Sequence, residues 1–165
     1  MFITGIITVS DKGSRGERKD ESGAIIRDLL SGIGAQVTRY EIVPDEREMI
    51  SARLIEWADG AGIDLILTSG GTGLSPRDVT PEATLAVVER LAPGFSEAMR
   101  LESLKKTPMG MLSRGISGIR GKTLIVNLPG SPKAVRECLE VILPTIPHAI
   151  ETLRGEASEC ATMDE

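Results

Sequence analysis

The chain has 165 residues, a formal net charge of −5, 41% hydrophobic and 26% charged residues, and only 2% aromatics. That length fits one domain, and the composition excludes a chain disordered throughout and calls for a core of aliphatic side chains. Net negative charge argues against nucleic acid or an anionic membrane as the main partner, and no run approaches the ~20 apolar residues of a membrane span.

Met1 to Ile6 carries no basic segment, and its apolar run stops at Ser10-Asp11, so residues 2–10 read as a buried strand rather than a signal peptide. Residues 11–20 read as a charged, glycine-containing loop. Ile25, Ile26, Leu29, Leu30 and Ile33 then share one helical face, ended by Gly32 and Gly34. Residues 36–43 predict a second strand. Met49, Ile50, Leu54, Trp57 and Ala58 mark a second helix, stopped by Gly60 and Gly62. Residues 63–68 predict a third strand, followed directly by Ser69-Gly70-Gly71-Thr72-Gly73. Thr80-Pro81-Glu82 reads as an N-cap, a proline at the first helical position and an acid facing the positive helix end, opening helices over 81–91 and 95–105. Residues 111–119 fit an extended segment. A strand over 123–128, the turn Pro129-Gly130-Ser131-Pro132, a helix over 132–143 and a short helix ending near Leu153 follow, with breaks at Pro144 and Pro147. This alternation predicts an α/β fold: a single domain over 1–154, a three-layer α/β/α sandwich on a mostly parallel central sheet, with a loose polar tail over 155–165.

His148 is the single histidine, which excludes a histidine-cluster metal site within one chain. Cys138 and Cys160 lie far apart and read as free thiols in a reducing compartment, hence a cytoplasmic protein.

In an open parallel sheet, ligands bind beyond the carboxyl ends of the strands. Ser10-Asp11, Pro44-Asp45, Ser69 to Asp78, and Asn127 to Ser131 all fall there. The three glycines of Ser69–Gly73 let backbone approach a ligand, and the hydroxyls of Ser69 and Thr72 can meet phosphate oxygens. The loop is neither a Walker A motif nor a Rossmann fingerprint, so by itself it signals an anion or a nucleotide. Asp45 and Asp78 each follow a strand end and suit a Mg²⁺ site beside phosphates. Asp45 fits a helix N-cap equally well, and Asp78 a salt bridge to Arg77 or Lys133. Ser131 caps a helix whose N-terminus is itself an anion site. Asp20 and Ser22 start a helix, where capping is the simpler role.

Together these segments resemble a family. Ser69-Gly70-Gly71-Thr72-Gly73-Leu74-Ser75-Pro76-Arg77-Asp78-Val79-Thr80-Pro81-Glu82-Ala83 is similar to the hallmark loop of the molybdopterin-binding Mog/MoaB family. The likeness continues at Thr8 to Asp11, Asp20 to Gly23, Val43 to Asp45, Leu112 to Arg114, and Asn127 to Pro132, and spans about residues 3–150. Phe95 to Arg100, Gly118 to Arg120 and Asn127 to Gly130 look more like the Mog type. The resemblance implies a molybdopterin-binding-like fold and adenylylation of molybdopterin by MgATP with release of pyrophosphate. It implies Asp45 and Asp78 as the catalytic, Mg²⁺-holding pair. Ser69, Gly70, Gly71, Thr72, Gly73, Pro129, Gly130 and Ser131 would bind phosphate and nucleotide, and Ser10, Asp11, Ser22 and Ser113 molybdopterin. It further implies a cytoplasmic homotrimer that hands its product to a molybdate-inserting enzyme. Two alternatives carry the same fold: a MoaB-like molybdopterin-binding protein without adenylyltransferase activity, and a trimeric interaction module.

Overall fold

Alternation along the strands divides the core in two. Leu65, Leu67, Leu124, Val126 and Leu128 point to one side of the sheet, and Ile66 and Ile125 to the other. The computed structural model describes residues 1–60 and 62–156. Its sheet has six strands: β1 (Phe2–Val9), β2 (Ala35–Val43), β3 (Leu65–Ser69), β4 (Arg90–Leu91), β5 (Ser117–Arg120) and β6 (Thr123–Leu128). Their order is β2-β1-β3-β6-β5-β4. Pairing is parallel from β2 to β6 and antiparallel from β6 through β5 to β4. Helices α2 (Glu21–Leu30), α5 (Pro93–Lys106), α6 (Pro132–Ile142) and α7 (Ile146–Arg154) cover one face, and α3 (Arg47–Gly60) and α4 (Thr80–Leu85) the other. The three-layer arrangement and the mostly parallel sheet match the sequence expectation.

Helix α6 shows how local pattern becomes packing. Ser131 accepts the Ala134 N–H, and Pro132 occupies the first turn. Val135, Cys138, Leu139 and Ile142 are buried at the i, i+3, i+4, i+7 spacing of one stripe. Burying each large aliphatic side chain there contributes about 1.5–3 kcal/mol, and Leu139→Ala would cost roughly 2–5 kcal/mol. On the other face Gly5 is required by packing, because a Cβ there would lie 2.6 Å from the Trp57 ring.

Several expectations are corrected. The loop over 11–20 contains a short helix, α1 (Asp11–Ser14), capped by the Ser10 hydroxyl. The helix expected over 81–91 ends at Leu85, and Arg90–Leu91 form an edge strand instead. Edge pairing outweighs helix continuation there: Glu89 N–H donates to Ile119 O at 2.8 Å and Ala92 N–H to Ser117 O at 2.9 Å. Thr80 is not an N-cap. It lies inside α4, and its hydroxyl donates to the Gly70 carbonyl at 2.9 Å, a buried acceptor that needs a partner. Within 111–119 only Ser117–Arg120 is a strand, preceded by a 3₁₀ turn over Pro108–Leu112. Most of the tail, including Cys160, lies outside the described residues. Among the described residues, no helix is long and apolar enough to cross a membrane.

Candidate active site: two clefts around one loop

The chain runs from β1 to β2 on one side and then returns to place β3 on the other, so the strand order reverses between the carboxyl ends of β1 and β3. A crevice is expected at such a switch point. A polar cleft of about 490 Å³ opens there, lined among others by Ser10, Ser22, Asp45, Ser69, Gly70, Gly71, Asp78, Gly130 and Ser131.

The glycines of the loop are needed for shape. Gly70 and Gly71 have φ of 100° and 67°, in the left-handed region. A Cβ on Gly70 would overlap the Val9 carbonyl, and one on Gly71 the Thr80 hydroxyl. Gly70 N–H donates to Leu128 O at 3.2 Å, and Thr80 N–H to Gly71 O at 3.1 Å. The Ser69 hydroxyl donates to Pro129 O at 3.0 Å and the Ser22 hydroxyl to Gly130 O at 2.9 Å. Both hydroxyls therefore hold the neighbouring turn, which sets the rim of the cleft.

The acidic side is built by reciprocal bonds. Asp11 N–H donates to Asp45 Oδ2 at 2.9 Å, and Asp45 N–H to Asp11 Oδ1 at 3.0 Å. Arg77 donates to both oxygens of Asp11 and to Glu46. The Arg77 guanidinium holds the Asp11 carboxyl below the usual range, helped by the Asp45 backbone. Asp45 behaves oppositely: burial pushes its pKa up, and the negative charges of Asp11 and Asp78 push it further. The Asp78 carboxylate accepts the Ser75 N–H at 3.0 Å. The capping role open to Asp45 thus gives way to the bond with Asp11. Of the two partners considered for Asp78, Arg77 serves Asp11 and Glu46 instead.

Arg18, Lys19 and Asp20 also line this cleft. Arg18 and Lys19 carry no signal beyond solvation within a charged loop, so only the fold reveals them, whereas Asp20 was expected to cap a helix. Asp20 caps α2 through Gly23 N–H and accepts from the Thr8 and Tyr40 hydroxyls, each at 2.6 Å. Burial pushes its pKa up, but these bonds outweigh it and leave Asp20 below its ordinary value. Burial and the Asp20 charge push the Tyr40 phenol up to about 12.

A second cleft of about 420 Å³ lies across the same loop, lined among others by Thr72, Gly73, Met99, Ser103, Met109, Leu112, Ser113, Pro129, Ser131, Lys133 and Cys138. Ser131 borders both clefts. The expected site residues divide accordingly. Ser10, Ser22, Asp45, Ser69, Gly70, Gly71, Asp78 and Gly130 border the polar cleft, and Thr72, Gly73, Ser113 and Pro129 the apolar one. Ser113 is therefore separated from Ser10 and Ser22, with which the resemblance groups it. Asp11 supports Asp45 from behind the lining. The Cys138 thiol is buried, and that burial pushes its pKa up.

Residues 5–148 match the family described as the probable molybdopterin binding domain. A molybdopterin adenylyltransferase of Helicobacter pylori strain J99 is 46% identical over 153 residues, covering 92% of this chain and 87% of that protein. A molybdopterin adenylyltransferase of Escherichia coli K12 is 39% identical over 173 residues, covering 95% of this chain and 88% of that one. The crystal structure of the molybdopterin biosynthesis enzyme MoaB from Thermus thermophilus superimposes with a TM-score of 0.90 at 57% identity, covering 96% of this chain and 100% of that one. With a loop, a paired-carboxylate cleft and a sheet order of this kind, and with the match running nearly end to end, the chain belongs to the probable molybdopterin binding domain family.

Proposed function

We propose that this protein is a molybdopterin adenylyltransferase of molybdenum cofactor biosynthesis, transferring AMP from ATP to molybdopterin and releasing pyrophosphate. The observation that carries the reading is the partition of one loop between two clefts. One cleft is polar and holds Asp45 and Asp78; the other exposes mostly apolar surface, with Met99, Met109 and Leu112 in its lining, which suits a planar ring. Relatives alike over nearly the whole chain bear the name of that activity.

In the reaction, an oxygen of the molybdopterin phosphate forms a bond to the α-phosphorus of ATP, and the bond from that phosphorus to the β-phosphate oxygen breaks. A phosphate monoester is already anionic at neutral pH, so no strong general base is required. The protein's task is to align two anions and lower their repulsion. The turn at Gly70-Gly71 and the N-terminus of α6 at Ser131 present backbone to the meeting point of the clefts. No covalent enzyme intermediate forms.

A divalent cation suits the acidic side. Asp45 is half-buried with its charge disfavoured by burial and by Asp11 and Asp78, while Arg77 is turned to Asp11 and Glu46. Two carboxylates suffice for Mg²⁺, which completes its shell with phosphate oxygens and water. Asp45 and Asp78 would hold it. When bound, Mg²⁺ neutralises phosphate charge and favours departure of pyrophosphate.

We further propose a cytoplasmic homotrimer, supported by exposed apolar side chains such as Leu101, Met109 and Met111, which passes its product to a molybdate-inserting enzyme. The deciding experiment is pyrophosphate release by pure protein with molybdopterin and MgATP. One pyrophosphate per molybdopterin consumed is expected. Tight molybdopterin binding with no pyrophosphate would instead mark a binding protein without catalysis.

A further inference from the structure

We infer that Arg114 is a positioning residue for the reaction: it clamps the loop that separates the two clefts and so sets where Asp78 stands. The inference rests on adenylyl transfer being the activity. Arg114 borders neither cleft, although Ser113 and Gly115 on either side of it line the apolar one. Its guanidinium bonds the backbone of the loop instead.

Three donor groups of that guanidinium are engaged at once. Nε donates to the Gly73 carbonyl at 2.7 Å, and Nη2 to the Asp78 carbonyl at 2.6 Å. Nη1 pairs with the carboxylate of Glu82 in the first turn of α4. Its own backbone N–H donates to Thr72 O at 2.9 Å. The loop is therefore gripped at its entry, Thr72-Gly73, and at its exit, Asp78, while Glu82 anchors the guanidinium to the helix that follows. The intervening residues Leu74 to Arg77 are exposed; Arg77 ties the tip of the loop to Asp11 and Glu46, while Arg114 holds its two ends. The loop is also folded tightly on the acid: a Cβ on Gly73 would lie 2.8 Å from Asp78 Oδ2. A shift of Gly73 relative to Asp78 would thus move the carboxylate, and with it the spacing between the two ligands.

Only arginine fits this task. A planar fork can bond two carbonyls and a carboxylate in fixed directions, whereas a lysine ammonium is a single centre on a flexible stem. Because Arg114 bonds the loop's backbone and Glu82 and lines neither cleft, its removal should alter rate more than affinity.

The test compares the wild-type chain with Arg114→Ala and Arg114→Lys. Hydrogen exchange across residues 70–82 should accelerate in both variants, with the sheet unchanged. The kcat of pyrophosphate release should fall by about 10²-fold in Arg114→Ala, as for a displaced catalytic group. KM for both substrates should change by less than about threefold, and the Mg²⁺ concentration for half-maximal rate should rise. Added guanidinium ion should restore part of the Arg114→Ala rate; Arg114→Lys should keep the thermal stability and still lack the rate. Unchanged exchange in the loop, a kcat within about threefold of wild type, or a loss carried by KM alone would overturn the inference. A wild-type protein that releases no pyrophosphate would sink the proposed function but leave the exchange comparison to decide whether Arg114 holds the loop.

Discussion

The two clefts share one loop yet are made of different material. The polar cleft is built from strand ends, turns and backbone, with Asp45 and Asp78 brought together from separate crossovers. The apolar cleft is built from side chains of α5, the 3₁₀ turn over Pro108–Leu112 and α6. The first concentrates charge where the fold leaves backbone exposed. The second offers surface that a flat ring can cover. Under the proposed function chemistry and recognition would be divided between them, and Ser131 borders both.

The comparison breaks most readily on the polar side. Asp78→Asn should lower pyrophosphate release by about 10²-fold or more, the scale of losing one group that organises transition-state charge; retention of full Mg²⁺-dependent turnover would remove Asp78 from the reaction. On the apolar side the expected effect is smaller and of another kind. Ser103→Phe narrows that cleft and should raise KM for one substrate by about tenfold, near 1.4 kcal/mol, with kcat nearly kept. Steady-state kinetics with each substrate varied in turn would reveal it, and unchanged constants for both would mean that no ring sits there.

A third prediction sharpens the contrast within the polar cleft. The Asp45 pKa is raised above its ordinary value of 3.8. The unfolded chain therefore loses that proton first as pH rises, and the group subtracts stability above that range. Asn at position 45 keeps an acceptor for Asp11 N–H, so Asp45→Asn should raise Tm at pH 7 while losing activity. Asp20 has the opposite sign. Its pKa is lowered from 3.8, so its contribution is present at neutral pH and disappears as pH falls through the folded value, below 3.8. Asp20→Asn should accordingly lower Tm at pH 7. Melting curves of the two variants that shift the same way would erase the distinction between a strained and a satisfied carboxylate. The stability gain at position 45 is the kind expected where function holds charge in an unfavourable place.

How much of this was readable in advance differs between the clefts. Ser69 to Asp78 announces itself because glycine, hydroxyl and acid lie within ten consecutive positions. Met99, Ser103, Met109 and Cys138 carry no such signal, since helix residues lining a cleft look like core residues of any amphipathic helix. Thr80 misled for a related reason: Thr-Pro-Glu is the local pattern of a cap, but the buried Gly70 carbonyl took the hydroxyl. Residues 86–91 misled as well, because edge pairing with β5 is a contact between segments far apart in sequence.

The sequence alone determined most of the alternation of strands and helices, the α/β class, and the glycine loop with its aspartates. Those follow from periodicity, turn chemistry and charge within short windows. Only the tertiary structure decided that β3 returns beside β1 to open a switch-point crevice. Only it turned Arg77 to Asp11, bonded Asp11 to Asp45, and sent Arg114 beneath the loop. Each of those is a long-range hydrogen bond or ion pair, and such a bond depends on which distant groups the fold brings within bonding distance.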